Sequence, residues 1–101
     1  MKRWEIYWAE VPFEEKDGSK IRPVVILNDR TAFVISFGIY SASPRPFTND
    51  FPIRDWKQTG LDHESTIHVD RRIKIEKQQI HDKIGELSKR DSMILALYND
   101  L

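Results

Sequence analysis

The chain has no cysteine, and its 16 lysines and arginines are matched by 16 aspartates and glutamates. Without cysteine there is no disulfide framework, no thiolate metal site and no cysteine nucleophile. That fits a reducing compartment. The charge balance holds along the chain, with seven residues of each sign up to residue 50 and nine of each beyond it. A protein that coats duplex DNA by neutralising phosphates needs a basic excess, so that class is disfavoured. A local basic groove is still compatible with zero net charge. No apolar stretch approaches the roughly 20 residues of a membrane span. Met1–Glu10 has no apolar run of signal-peptide length. The expectation is a cytoplasmic protein without membrane contact.

The common templates of catalysis are missing too. His63, His68 and His81 do not pair at metal-ligand spacing, and there is no HExxH. There is no GxSxG, no phosphate-cradling glycine loop and no GxGxxG. No metal and no cofactor are expected.

What is present is one domain, 1–101, rich in short strands. Arg3–Val11 alternates with period two, and Pro12 ends it. Phe13–Lys20 reads as a charged loop. Arg22–Asn28 is a continuous apolar run behind Pro23, a residue that suits the first position of a strand. After a turn at Asn28–Thr31, Ala32–Tyr40 reads as a third strand in a hairpin with the second. Ser41–Pro52, with three prolines, reads as a loop. Ile53–Gly60 has the flavour of a helical turn. Ser65–Asp70 alternates again, and Arg71–Lys77 continues it. Ile80, Ile84 and Leu87 mark a strand or a turn of helix, and periodicity leaves the choice open. Ser88–Asp91 approximates a capping box. It opens a helix whose apolar stripe is Met93, Ile94, Leu97, Tyr98 and Leu101. The fold class is mainly β with short helices, a small barrel carrying a C-terminal helix.

Three groups could carry chemistry. Arg22, between Ile21 and Pro23, reads either as a strand-edge arginine reaching solvent or as a rigidly held cation aimed at a phosphate, which its planar fork suits. Asp17 and Glu15, in the loop before it, read either as solvated charges or as carboxylates on a flap over a groove. Tyr40, Ser41 and Ser43, at the expected end of the third strand, read either as turn residues or as hydroxyls for a scissile phosphate. Arg71, Arg72, Lys74 and Lys77 are either a guarded strand edge or a phosphate-tracking stripe.

Taken in order, several segments resemble the MazF/PemK-like toxin family. They are Glu5–Glu10, Lys20-Ile21-Arg22-Pro23-Val24-Val25-Ile26-Leu27, Asp50–Lys57 with Gly60-Leu61, Ser65–Asp70, and Ile84-Gly85-Glu86-Leu87-Ser88-Lys89-Arg90-Asp91. The resemblance implies an SH3-like barrel, a homodimer, and metal-independent cleavage of single-stranded RNA, mRNA included. In that reaction the 2′-hydroxyl attacks the neighbouring phosphate. It also implies a cognate antitoxin, with DNA met only through that antitoxin, and growth inhibition by the free toxin. The family's catalytic arginine corresponds to Arg22 and its flap carboxylate to Asp17. Its strand-end threonine falls at or beside Tyr40-Ser41. RNA contacts are expected from Lys20, Ser43, Arg45, His68, Arg71 and Arg72. The chain departs from the family at Tyr40, where threonine is usual, at His68, where arginine is usual, and at Trp4, where glycine is common. The Tyr40 departure motivates a second reading: a catalytically degenerate barrel that binds RNA or the antitoxin without turnover.

Overall fold

Residues 1–13, 15–38 and 50–99 are described by a computed structural model, Tyr98 and Asn99 by their backbone alone. The elements run β1 (Glu5–Pro12), β2 (Ser19–Asn28), β3 (Thr31–Phe37), β4 (Asp50–Pro52), α1 (Trp56–Thr59), β5 (Ser65–Lys74), a 3₁₀ turn (Lys77–Gln79), β6 (Ile80–Glu86) and α2 (Lys89–Asn99). The strands form one sheet, in the order β4-β5-β3-β2-β1-β6, with every neighbouring pair antiparallel.

The continuous apolar run of β2 has a simple cause: both faces of the central strands are covered. Val25, Leu27, Phe33 and Ile35 face one cluster, which Ile53, Leu61 and Leu95 complete. Val24, Ile26, Ala32 and Val34 face the other, completed by Ala9, Val11 and Ile75. Full burial of each aliphatic or aromatic side chain contributes roughly 1.5–3 kcal/mol, so the two clusters together are the main stabilising element. The second cluster is closed by curvature of the sheet. Between Phe33↔Arg72 and Val34↔His68 the register shifts, leaving residues 69–71 as a bulge in β5. A bulge bends and twists its strand. Here it carries Arg71 to β1, where Nη2 donates to the Pro12 carbonyl at 3.1 Å. The result is a small, barrel-like sheet with a C-terminal helix.

Several boundaries differ from expectation. β2 begins at Ser19, so Pro23 lies inside the strand and is buried. This is tolerated because the ladder to β3 ends at Val24↔Val34, and only the β1 side of Pro23, opposite Trp8, is still paired. The described part of β3 ends at Phe37; residues 39–49 lie outside the described residues. Asp50–Pro52, read as loop, is an edge strand on β5. Ile80–Glu86 is a strand on β1.

The stripe expected on α2 is split. Leu95 is fully buried, whereas Met93 and Leu97 are 59% and 86% exposed. Tyr98 and Leu101 lie outside the described side chains. The helix start is as expected in part. The Asp91 amide donates to Ser88 Oγ at 3.1 Å, which is a side-chain N-cap. The Asp91 carboxylate, however, turns away. It accepts from the amides of Arg54 (3.2 Å) and Asp55 (2.8 Å). Asp55 in turn accepts from Ser88 Oγ at 2.7 Å and from Arg90. Those contacts hold the Asp55 carboxyl below its usual range, the Ser88 hydrogen bond most of all. Thus the Asp55-Trp56 and Ser88–Asp91 segments are one interlock that fixes α1 and α2 together.

Candidate functional site

Alternation along paired strands places the polar groups. Val24, Val34 and the second core cluster share one face of the sheet. Two residues further along each strand from Val24↔Val34 stand Arg22 on β2 and Ser36 on β3, on that same face. His68 is directly opposite Val34 on β5, and Asp50 on β4 is directly opposite His68. A row of four polar side chains therefore crosses four neighbouring strands. Part of it is closely bonded: Ser36 Oγ lies 2.8 Å from His68 Nε2, and His68 Nδ1 lies 3.0 Å from Asp50 Oδ1. The His68 and Asp50 side chains are only 12% and 18% exposed.

Beside the Arg22 end of the row is an open concavity of about 390 Å³, lined by Phe13, Glu15, Lys16, Arg22 and Arg71. Its roof is the β1–β2 connection, pinned by the Phe13 amide donating to the Gly18 carbonyl at 3.1 Å. Lys16 Nζ stands 4.7 Å from the centre of the Phe13 ring, within cation–π range. Three cations and one carboxylate line the groove, which suits a polyanion. A larger hollow of about 700 Å³, lined by Phe37, Gly38, Trp56, Asp62, His63 and Glu64, has two carboxylates and no lysine or arginine in its lining. That hollow does not suit phosphate.

The expected residues distribute as follows. Arg22 and Arg71 come together in the groove. Lys20 is exposed, two residues before Arg22 on the same strand. Asp17 is exposed on the flap and is not among the groove's lining; Glu15 is. His68 is in the row, bonded to Ser36 and Asp50. Arg72 is directly opposite Phe33, on the other face from Val34, with its guanidinium 5.4 Å from that ring. Neighbouring residues on a strand point to opposite faces, so the Arg71–Arg72 pair is not one stripe. Tyr40, Ser41, Ser43 and Arg45 lie outside the described residues.

Ser36 and Asp50 were not anticipated. Ser36 had a signal: Ile35-Ser36 is an aliphatic–hydroxyl pair at the end of the described strand, the pattern sought four residues later at Ile39-Tyr40. Asp50 had none, because a three-residue strand ending in proline reads as loop. Among the described residues no group of three or more acidic or histidine side chains is placed to hold a metal ion. No helix among them is long and apolar enough to cross a membrane.

A family model described as PemK-like, MazF-like toxin of type II toxin-antitoxin system matches residues 2–96. No curated protein matches the chain.

Proposed function

Since the chain belongs to the PemK-like, MazF-like toxins of type II toxin–antitoxin systems, we propose that it is an endoribonuclease that cleaves single-stranded RNA by 2′-hydroxyl transesterification, held inactive by its antitoxin. One observation carries this reading. Arg22 lines the flap groove with Arg71, and the Ser36 hydroxyl stands on the neighbouring strand and the same face. A backbone phosphate bound there would meet two guanidiniums, each able to hold two oxygens. The charge that develops on the phosphorane during attack is then stabilised by cations already in place. Arg22 takes that role. Lys20 and Arg71 follow the backbone on either side, and Asp17 assists from the flap. Tyr40 and Ser41 remain candidate phosphate ligands, with Ser43 and Arg45 as outer contacts; Arg72, on the other face of the sheet, is not among them. The reaction leaves a 2′,3′-cyclic phosphate and a free 5′-hydroxyl, and its setting is the cytoplasm, where mRNA is found.

The proposed assembly is a homodimer. Met93 and Leu97, four residues apart on α2, are exposed on one side of the helix and offer an apolar contact. The antitoxin is expected to lay an acidic, initially disordered segment opposite Arg22 and Arg71. Such a complex weakens with salt.

The test is incubation of purified protein with mixed-sequence RNA in excess EDTA. Cleavage is expected, and Arg22→Ala should slow it by about 10²–10³, the usual cost of one transition-state contact. Absence of cleavage, with RNA or antitoxin still bound, would instead identify a barrel that has kept binding and lost the chemistry.

A further inference from the structure

We propose that Ser36, His68 and Asp50 form a proton relay, in which the His68 imidazole is the general base that draws the proton from the attacking 2′-hydroxyl through the Ser36 oxygen. The inference rests on the ribonuclease reading and names its base. Three features carry it: the order of the groups, their distances, and the elements that hold them.

The order is that of an activated hydroxyl. A hydroxyl meets one ring nitrogen at 2.8 Å, and a carboxylate meets the other at 3.0 Å. Both are hydrogen-bond distances, and this arrangement of hydroxyl, base and orienting acid recurs wherever a hydroxyl must lose a proton. The carboxylate decides the tautomer. Asp50 accepts from Nδ1–H, so Nε2 is left as the acceptor for the Ser36 proton. The positions are rigid as well. Asp50 and His68 are direct partners in the β4–β5 ladder, and Ser36 is on β3 beside them. The imidazole is mostly buried, so its contacts act with little screening.

The charged surroundings are consistent with a base. From β4, Asp50 faces the ring. From β3, the neighbours on that face are Val34 and Ser36. Along β5 itself stands Asp70, and one strand beyond Ser36 stands Arg22. Asp50 stabilises the imidazolium that forms. Arg22, on the far side of Ser36, stabilises the phosphate instead.

The step balances. The 2′-hydroxyl gives its proton to Ser36 Oγ as the Ser36 proton passes to His68 Nε2. A bond forms between the 2′-oxygen and phosphorus. The bond from phosphorus to the 5′-oxygen breaks on the opposite side, and that oxygen leaves with the electron pair and takes a proton from water. The imidazolium then returns its proton to solvent through Ser36, and the relay is restored.

The same three groups could merely pin β3, β5 and β4 together, so the test needs readouts that a pin would not move. His68→Gln, Ser36→Ala and Asp50→Asn are compared with wild type on a short single-stranded RNA in EDTA. Binding is measured in parallel on the same oligonucleotide with deoxyribose at the cleaved position. Expected for His68→Gln is a loss of kcat by about 10²–10⁴, the usual size of a general-base contribution. KM, deoxy-analogue binding and melting temperature stay near wild type. Independently of activity, ¹⁵N NMR of wild type should show the Nδ1-protonated His68 tautomer, lost in Asp50→Asn. If wild type cleaves and His68→Gln keeps its kcat, the relay is overturned while the ribonuclease reading stands. If wild type cleaves no RNA, the ribonuclease reading falls and the relay with it.

Discussion

Gly85 of β6 passes so close to Thr59 at the end of α1 that a Cβ added to the glycine would overlap the Thr59 carbonyl oxygen. The obstacle is backbone, so no side-chain rotation relieves it. Gly60, the next residue after Thr59, has φ +93, and a Cβ there would meet the Ile84 carbonyl. The two glycines thus let α1 lie directly on β6. Gly85→Ala should destabilise the fold by more than about 2 kcal/mol, within the usual range for overpacking. At about 4–8 °C per kcal/mol for a domain of this size, a thermal melt would register the loss easily. A melt unchanged from wild type would show that α1 can move off β6 at little cost.

Acid stability should depend on Glu5. Its carboxylate is held down to about 2 from 4.5, first by a hydrogen bond from the Lys83 ammonium and then by the Lys2 amide at 2.6 Å. Tyr7 also donates to it, at 3.2 Å. The folded state therefore binds fewer protons than the unfolded state between these two values, and stability rises with pH there. The contribution is full above about pH 4.5 and is lost as pH falls towards about 2. Denaturant midpoints measured from pH 2 to 7 should fall less steeply on acidification in Glu5→Gln than in wild type. Parallel curves would mean that the pair does not discriminate between the two states.

Asp91 is fully buried and accepts two backbone amides from the start of α1. Asp91→Ala would leave both donors without that partner and would free Asp55 and Ser88 from their shared arrangement. A loss of about 1–3 kcal/mol is expected for such stranded groups. Urea unfolding measures it. Asp91→Asn, which keeps one carbonyl acceptor, should recover part of it.

Arg71→Ala should weaken binding of single-stranded RNA and flatten its salt dependence. One phosphate contact fewer reduces the slope of log K against log salt by about 0.7. Arg72→Ala, whose side chain is on the other face, should leave the slope unchanged. Fluorescence anisotropy at several salt concentrations separates the two. Equal effects would mean that RNA wraps both faces.

Much of the framework was legible because its signals are local. The alternation in β1 and β5, the apolar run of β2 and the turn at Asn28, whose Oδ1 accepts from the Arg30 amide at 2.9 Å, are written within a few residues of where they act. So is the Ser88 cap. The start of β2 was missed because Ser19 and Lys20 are polar and all of Ser19–Ile21 is exposed, as an outer strand segment can be. β4 was missed because its partner lies 18 residues away in sequence, from Asp50 to His68. The stripe on α2 was misdrawn because the inward face is set by Asp91 and Leu95, four residues apart, with Ile94 beside them, and Asp91 carried only a capping signal. Arg22 was legible as a cation between Ile21 and Pro23, and Arg71 as the first of the basic residues that run through Arg72 and Lys74 to Lys77. Ser36 carried the aliphatic–hydroxyl pattern, but only the register showed that it shares a face with Arg22 and His68. Trp4 explains one departure: with φ +73 it occupies backbone space where glycine is easier, and its packing on the first core cluster offsets the strain.

The bulge in β5 also bears on when the groove is completed during synthesis. Arg22 and Ser36 belong to a meander of three consecutive strands, β1 to β3, that can pair as soon as it leaves the ribosome. Asp50 and His68 enter only with β4 and β5, and Arg71 reaches Pro12 only after the bulge has turned β5 back over the sheet. β6 then pairs with the first strand of all. A nascent chain stopped short of residue 71 has the first cation and the hydroxyl, but neither the second guanidinium nor the closed barrel. The groove is thus a late product of a mostly long-range topology, and a truncated translation product would be released without it.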